Sequence, residues 1–192
     1  MFEGDTYIAS TIAAFVRARG VRSVVETGTC TGKSTAALAM MDVKVHSIEI
    51  DKGYFDKAKE HLQGFDNVGL HQGNSPDVMR MLLPRLPRPI LFYLDAHWHN
   101  YWPLRDELRV IAVSGPDITP LDDSIIVIHD FKNPHVPTLG YDTYDGRDLD
   151  WKHVEDIIEE IYPSGYAYKH NTQAHGARRG VVYIYPEYAH EG

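Results

Sequence analysis

The feature that most restricts the fold of this chain is a regular alternation of short apolar segments with amphipathic stretches. Five apolar segments have the length and β-branched content of strands, at 22–26, 43–50, 68–72, 89–94 and 124–128. Helical periodicity fills most of the intervals, at 5–19, 32–41, 51–62, 75–83, 104–113 and 151–161. The segments 166–170 and 181–185 flank a polar turn and predict a closing hairpin. This pattern predicts an α/β fold with a mostly parallel, Rossmann-like sheet of seven strands and a C-terminal antiparallel hairpin.

Length and composition narrow the classes of function. The 192 residues suffice for one domain, which we expect to span 1–192. A formal net charge of −8 disfavours nucleic-acid partners, because proteins that bind them present basic surfaces. The sequence contains no apolar run of membrane-spanning length and no signal-peptide pattern. Cys30 is the only cysteine, which excludes an internal disulfide. We therefore expect a cytoplasmic protein with no membrane partner.

The first predicted strand is followed by a glycine-bracketed turn, ETGTCTGKS from position 26. A phosphate-binding P-loop requires four residues between its glycines, whereas three separate Gly28 from Gly32. The carboxylate of Glu26 would repel a pyrophosphate but suits a cationic ligand. The turn therefore favours a nucleoside cofactor without phosphates over a P-loop-like nucleotide site. A dehydrogenase is disfavoured because Cys30 stands where its pyrophosphate turn places glycine.

The second strand end carries a matching acidic residue. Glu49 lies 21 residues after Gly28, close to the spacing at which Rossmann-type sites place a carboxylate on the ribose hydroxyls. Asp51 is the expected N-cap of the next helix. A solvated strand end is the alternative interpretation of Glu49, but the spacing of the two motifs favours a cofactor site.

With these motifs the chain resembles the class I S-adenosylmethionine-dependent methyltransferases, and most of all the small-molecule O-methyltransferases similar to catechol O-methyltransferase. The resemblance extends from Val24 to Tyr185. It implies transfer of the methyl group of S-adenosylmethionine to a hydroxyl of a small molecule. It also implies contacts with each part of the cofactor. The methionine part would be surrounded by Glu26, Gly28, Thr29, Gly32 and Ser34. Glu49 would bind the ribose, and Asn74 and Ser75 would contact the adenine edge. A P-loop-like nucleotide-binding protein and a non-catalytic module that binds S-adenosylmethionine are the alternatives.

The fourth and fifth strand ends carry the residues that the resemblance assigns to chemistry. The run LDAHWHN starts at position 94, and catechol-type enzymes have an Asp-His-Trp run there whose aspartate binds a divalent metal. Asp95 and Asp130 are therefore candidate ligands of Mg²⁺ or Mn²⁺. In the alternative without metal, Asp95 contacts the cofactor. The predicted general base is His97, with His99 as the second candidate.

Three further features predict how the acceptor is bound. The connection 132–150 is unusually long and is a candidate lid or substrate loop, or else a solvated acidic loop. Its Tyr141 and Tyr144, together with Trp98, are candidate pocket walls. Arg178 and Arg179, in the turn of the closing hairpin, are candidate partners for an acidic group of the acceptor, with Arg178 the first choice; the alternative is a mobile hairpin tip. Because one helix precedes the first strand, the pocket is expected to be open or completed by a second subunit in a homodimer.

Overall fold

The computed structural model describes residues 2–98 and 101–187. Its main sheet contains strands β1 (Ser23–Thr27), β2 (Lys44–Glu49), β3 (Val68–Gln72), β4 (Ile90–Leu94), β5 (Ile125–His129), β8 (Tyr166–His170) and β9 (Val181–Pro186). The helices are α1 (Thr6–Ala18), α2 (Lys33–Ala39), α3 (Lys52–His61), α4 (Ser75–Leu82), α5 (Leu104–Val113) and α6 (Trp151–Ile161). Strands β6 (Thr143–Tyr144) and β7 (Arg147–Asp148) form a separate small hairpin.

The seven strands of the sheet have the order β3-β2-β1-β4-β5-β9-β8. Strands β1 to β5 are parallel, and β9 is antiparallel to both of its neighbours. The predicted α/β fold with a closing antiparallel hairpin is therefore confirmed. The order reverses direction between β1 and β4, which is where ligands bind in sheets of this kind, at the carboxyl ends of the strands.

Apolar packing on both faces of the sheet holds these strand ends in place. Every residue of β1, β4 and β5 is buried, as expected for central strands covered on both sides. Helices α4, α5 and α6 pack on one face, and α1 and α2 on the other. Side chains of Asp5, Asp51 and Asp150 accept hydrogen bonds from backbone N–H groups in the first turns of α1, α3 and α6. None of the helices in the described ranges is long and apolar enough to cross a membrane.

The connection 132–150 has more structure than its sequence suggested. Asp145 and Gly146 both have positive φ angles, 49° and 73°, and form the turn between β6 and β7. The Lys132 N–H donates to the carbonyl of Leu149 at 2.7 Å, which closes the segment on itself. The Asp142 N–H donates to the carbonyl of Asp130 at 2.9 Å and ties the segment to the end of β5. Its action as a lid stays a prediction.

Candidate functional site

A cavity of about 540 Å³ opens at the carboxyl ends of β1 to β5, around the point where the strand order reverses. Eight of the predicted site residues line it: Gly28, Glu49, Asn74, Ser75, Asp95, His97, Trp98 and Asp130. The volume lies in the range of small-molecule and cofactor pockets, about 300–1,000 Å³. The structure thus brings together residues that are separated by up to about a hundred positions in the sequence.

Gly28 forms the floor of this cavity. Its φ angle is +83°, and a Cβ atom built there would lie 2.7 Å from the carbonyl oxygen of Asp95. Glycine is required because β1 and β4 approach each other closely at this turn. Gly32 has a φ of +79° and faces Leu62 of the neighbouring helix end, 2.9 Å from a built Cβ. Gly32 therefore allows the start of α2 to pack closely against the C-terminal end of α3.

Four of the five backbone N–H groups from Gly28 to Gly32 already have acceptors within the chain. Those of Gly28 and Thr29 donate to the carbonyl of Ile48, at 3.0 and 3.3 Å. The Cys30 N–H donates to the Glu49 carboxylate at 2.7 Å, and the Gly32 N–H donates to the carbonyl of Thr29 at 2.8 Å. A P-loop instead points consecutive N–H groups at a phosphate. The geometry of this turn therefore argues against a nucleoside triphosphate.

Glu26 lies beneath the turn, and its side chain is fully buried. The carboxylate accepts hydrogen bonds from Ser47 at 2.6 Å and from Thr35 at 2.5 Å. Burial raises the pKa of Glu26 to about 7, although the hydroxyl groups of Ser34, Ser47 and Thr35 oppose the shift. The hydroxyl of Thr29 joins the same network through Ser47, at 2.6 Å. These residues brace β1, β2 and α2 under the cavity, so Glu26 supports the shape of the turn from below.

Glu49 is the acidic group that faces the cavity from β2. Its side chain is fixed before any ligand arrives, because one oxygen accepts the Cys30 N–H and the other accepts the Asp51 N–H at 2.8 Å. The residue is 6% exposed and lines the cavity wall. Each carboxylate oxygen has further acceptor capacity, so the group can also accept a pair of hydroxyl groups.

Ser75 is tied to a buried acid that sequence reasoning missed. Its hydroxyl donates a short hydrogen bond to Glu107 on α5. Glu107 is fully buried, and burial raises its pKa to about 7, against the hydrogen bonds from Ser75 and Thr27. Asn74 precedes α4 and donates to the side chain of Asp77 at 3.1 Å. A charged residue on the apolar side of α5 was the available signal for Glu107, because such positions normally carry apolar side chains.

His129 links two predicted acidic residues at the ends of β4 and β5. Its Nδ1 lies 3.0 Å from an oxygen of Asp95 and 3.3 Å from an oxygen of Asp130. Burial alone would lower the pKa of this imidazole, but the two carboxylates raise it well above its usual value. Burial alone would raise the pKa of Asp130, but His129 and Arg179 outweigh that effect and lower the pKa to about 2. His129 follows the fifth apolar strand directly, which was the signal for it in the sequence.

Arg179 completes this cluster from the turn of the closing hairpin. Its Nε donates to Asp130 and its Nη2 donates to Asp142, both in close ion pairs. The predicted Arg178 is exposed, so its neighbour is the arginine that reaches the acidic residues. One nitrogen or oxygen atom from each of His97, Asp130 and Asp142 lies within 4.8 Å of the others. The predicted base His97 is therefore flanked by carboxylates.

Groups of the chain already engage one oxygen of Asp95, one oxygen of Asp130 and the Nδ1 of His129. Two carboxylate oxygens face the Nδ1 of His129, so this nitrogen carries a proton and has no lone pair for a metal. The same oxygen of Asp130 also accepts from Arg179. The metal assigned to Asp95 and Asp130 stays a prediction that these contacts do not support.

Of the predicted pocket walls, Trp98 is among the residues that line the cavity, whereas Tyr141 and Tyr144 are not. Trp98 lines the cavity and pairs with Tyr101 through two backbone hydrogen bonds, of 3.0 and 2.7 Å. Tyr144 stacks on Trp102, with ring centroids 4.5 Å apart, and the amine of Lys132 lies 5.2 Å from the ring centre of Tyr141. His99, the second candidate base, lies outside the described residues.

Several methyltransferases are among the solved structures whose fold matches that of this chain. An O-methyltransferase, TomG from Streptomyces achromogenes, involved in tomaymycin synthesis and solved with S-adenosylmethionine, is 17% identical at a TM-score of 0.63, over 93% of this chain and 79% of that one. An O-methyltransferase from Bacillus cereus, solved with S-adenosylhomocysteine, is 15% identical at a TM-score of 0.61, over 95% and 81% of the two chains. A precorrin-6y C5,15-methyltransferase from Geobacter metallireducens is 11% identical at a TM-score of 0.60, over 93% and 88%.

No protein-family model and no curated protein matches the sequence. At these identities the structural likeness establishes the fold, which is that of the class I methyltransferases. The fold expected from the resemblance is thereby confirmed.

Proposed function

We propose that this chain is an S-adenosylmethionine-dependent methyltransferase that acts on a hydroxyl group of a small molecule. The observation that carries the proposal is the fixed carboxylate of Glu49 at the open edge of the sheet. Two backbone N–H groups hold it beside a glycine turn in which four of the five N–H groups are bonded within the chain. This arrangement suits a nucleoside with free ribose hydroxyls and no phosphates. The methyltransferase fold supports the same conclusion.

The cavity offers a separate contact for each part of such a cofactor. Glu49 accepts the two ribose hydroxyls. Asn74 and Ser75, at the start of α4, lie where the adenine edge is expected. Gly28 leaves room for the methionine part next to Asp95. Because these groups are bonded to the protein in advance, little side-chain entropy is lost on binding.

Methyl transfer is an in-line displacement, in which the bound cofactor supplies the methyl group from its sulfonium. The acceptor oxygen must lose its proton as it attacks, and His97 lines the cavity in a position to take it. The carboxylates of Asp130 and Asp142 lie close to the imidazole and stabilise the positive charge that it gains. Trp98 provides an apolar wall that aligns a small acceptor.

Calorimetry with S-adenosylmethionine and S-adenosylhomocysteine tests the proposal. We expect Glu49→Ala to weaken binding of both by about 100-fold or more, since hydrogen bonds to a charged group contribute about 1.5–3 kcal/mol each. The matched control is Glu60→Ala, which removes an exposed glutamate from α3 and should leave both affinities unchanged. Equal affinities for wild type and Glu49→Ala, or tight binding of a nucleoside triphosphate, would contradict the assignment.

A further inference from the structure

The end of the closing hairpin is built to hold one arginine between two acidic residues. The Gly140 N–H donates to the carbonyl of Arg178 at 2.9 Å, and the Gly180 N–H donates to the carbonyl of Gly140 at 2.8 Å. The backbone on both sides of Arg179 is thereby bonded to the connection 132–150. This backbone pairing fixes the position of the Arg179 Cα atom, and the backbone therefore helps to orient the side chain.

Close packing requires both glycines in this pairing, Gly140 against Arg179 and Gly180 against the backbone of Phe131. A Cβ atom at Gly140 would lie 2.9 Å from Nη1 of Arg179, and one at Gly180 would lie 2.1 Å from the carbonyl oxygen of Phe131. Neither position is in the left-handed region, so close packing and not backbone conformation requires glycine here. The guanidinium therefore occupies a fitted position.

We propose that Arg179 is the permanent cation at the carboxyl ends of β4 and β5, taking the place that the family resemblance assigns to a divalent metal. Its guanidinium donates to Asp130 and Asp142 through separate nitrogen atoms, in a fork that a single point charge cannot reproduce. Asp95 is engaged by the Nδ1–H of His129. Each of the three carboxylates is thus bonded through one oxygen to a donor that belongs to the chain.

The catalytic consequence rests on the proposed function. Since the carboxylates are already bonded, the acceptor hydroxyl is deprotonated by His97 and not by coordination to a metal. Arg179 acts as a positioning residue, because it holds Asp130 and Asp142 beside His97 and anchors the connection 132–150. The site is then the metal-independent form of an arrangement that other chains on this fold can use to bind metal.

The test is Mn²⁺ binding to the whole chain, followed by electron paramagnetic resonance of the free ion. We expect wild type to show no saturable binding below about 0.1 mM, because the carboxylates that would bind the ion are engaged. Arg179→Ala leaves Asp130 and Asp142 without their shared cation and should bind Mn²⁺ at least about tenfold more tightly than wild type. Arg178→Ala is the matched control, since it removes the same charge from the adjacent exposed position and should bind as wild type does.

Each outcome separates this proposal from the proposed function. Saturable Mn²⁺ binding by wild type below about 0.1 mM overturns the proposal, whatever the variants do. Equal Mn²⁺ affinity of folded Arg179→Ala and Arg178→Ala also overturns it, with circular dichroism as the test of folding. Binding of S-adenosylhomocysteine is measured on the same samples, and its absence in wild type would refute the methyltransferase assignment alone.

Discussion

The substitution Gly28→Ala tests the geometry of the turn under the cavity. A Cβ atom at this position lies 2.7 Å from the carbonyl oxygen and 2.9 Å from the carbonyl carbon of Asp95. Neither backbone can retreat freely, because β1 and β4 are paired up to Thr27 and Leu94 and the Asp95 N–H donates to the carbonyl of Thr27 at 3.2 Å. A left-handed conformation costs alanine about 1–2 kcal/mol, and overpacking costs about 1–3 kcal/mol.

We therefore expect Gly28→Ala to lower the free energy of unfolding by about 2–5 kcal/mol, or Tm by about 4–20 °C for a chain of this length. Affinity for S-adenosylhomocysteine should fall as well, because Asp95 and Ala96 must shift at the cavity floor. Thermal and urea unfolding measure the first effect, and calorimetry measures the second. Gly64→Ala is the control, since its added Cβ meets nothing within 4 Å and its φ is not positive. Equal midpoints for the two variants, within about 1 °C, would refute the reasoning.

Two other predictions concern titratable groups. Glu107 has a pKa of about 7 against 4.5 when exposed, so the folded chain binds more protons and stability falls as pH rises from about 5 to 7. Glu107→Gln should remove up to about 3 kcal/mol of that fall, and an unchanged slope in urea unfolding would contradict it. His97→Ala should lower turnover about 10²–10⁴-fold while leaving affinity for S-adenosylhomocysteine intact. His61→Ala, an exposed histidine on α3, is the control, and equal turnover of the two variants would exclude His97 as the base.

Much of the fold was predictable because its elements depend on local patterns. The predicted bounds of β3, α5, α6 and β8 coincide with the observed ones, and the other elements differ by a residue or two at their ends. The β6–β7 hairpin was missed although Asp145 and Gly146 form a common turn sequence. Its strands are two residues long, which is too short for the alternating pattern of side chains that predicts a strand.

The sequence predicted those site residues that lie at the ends of parallel strands. Gly28, Glu49 and Asp95 follow from the rule that ligands bind where parallel strands finish. Glu26 lies beneath the cavity because β1 continues to Thr27, so its side chain faces α2. The contact between Arg179 and Asp130 joins residues 49 positions apart, and no sequence spacing specifies which of two adjacent arginines makes it.

A crystal structure with S-adenosylhomocysteine tests the central claim most directly. The account predicts both ribose hydroxyls on the Glu49 carboxylate, the adenine against Asn74 and Ser75, and the sulfur directed toward His97. It would be contradicted by crystals in which this cavity stays empty at saturating ligand, or in which the ribose lies away from Glu49.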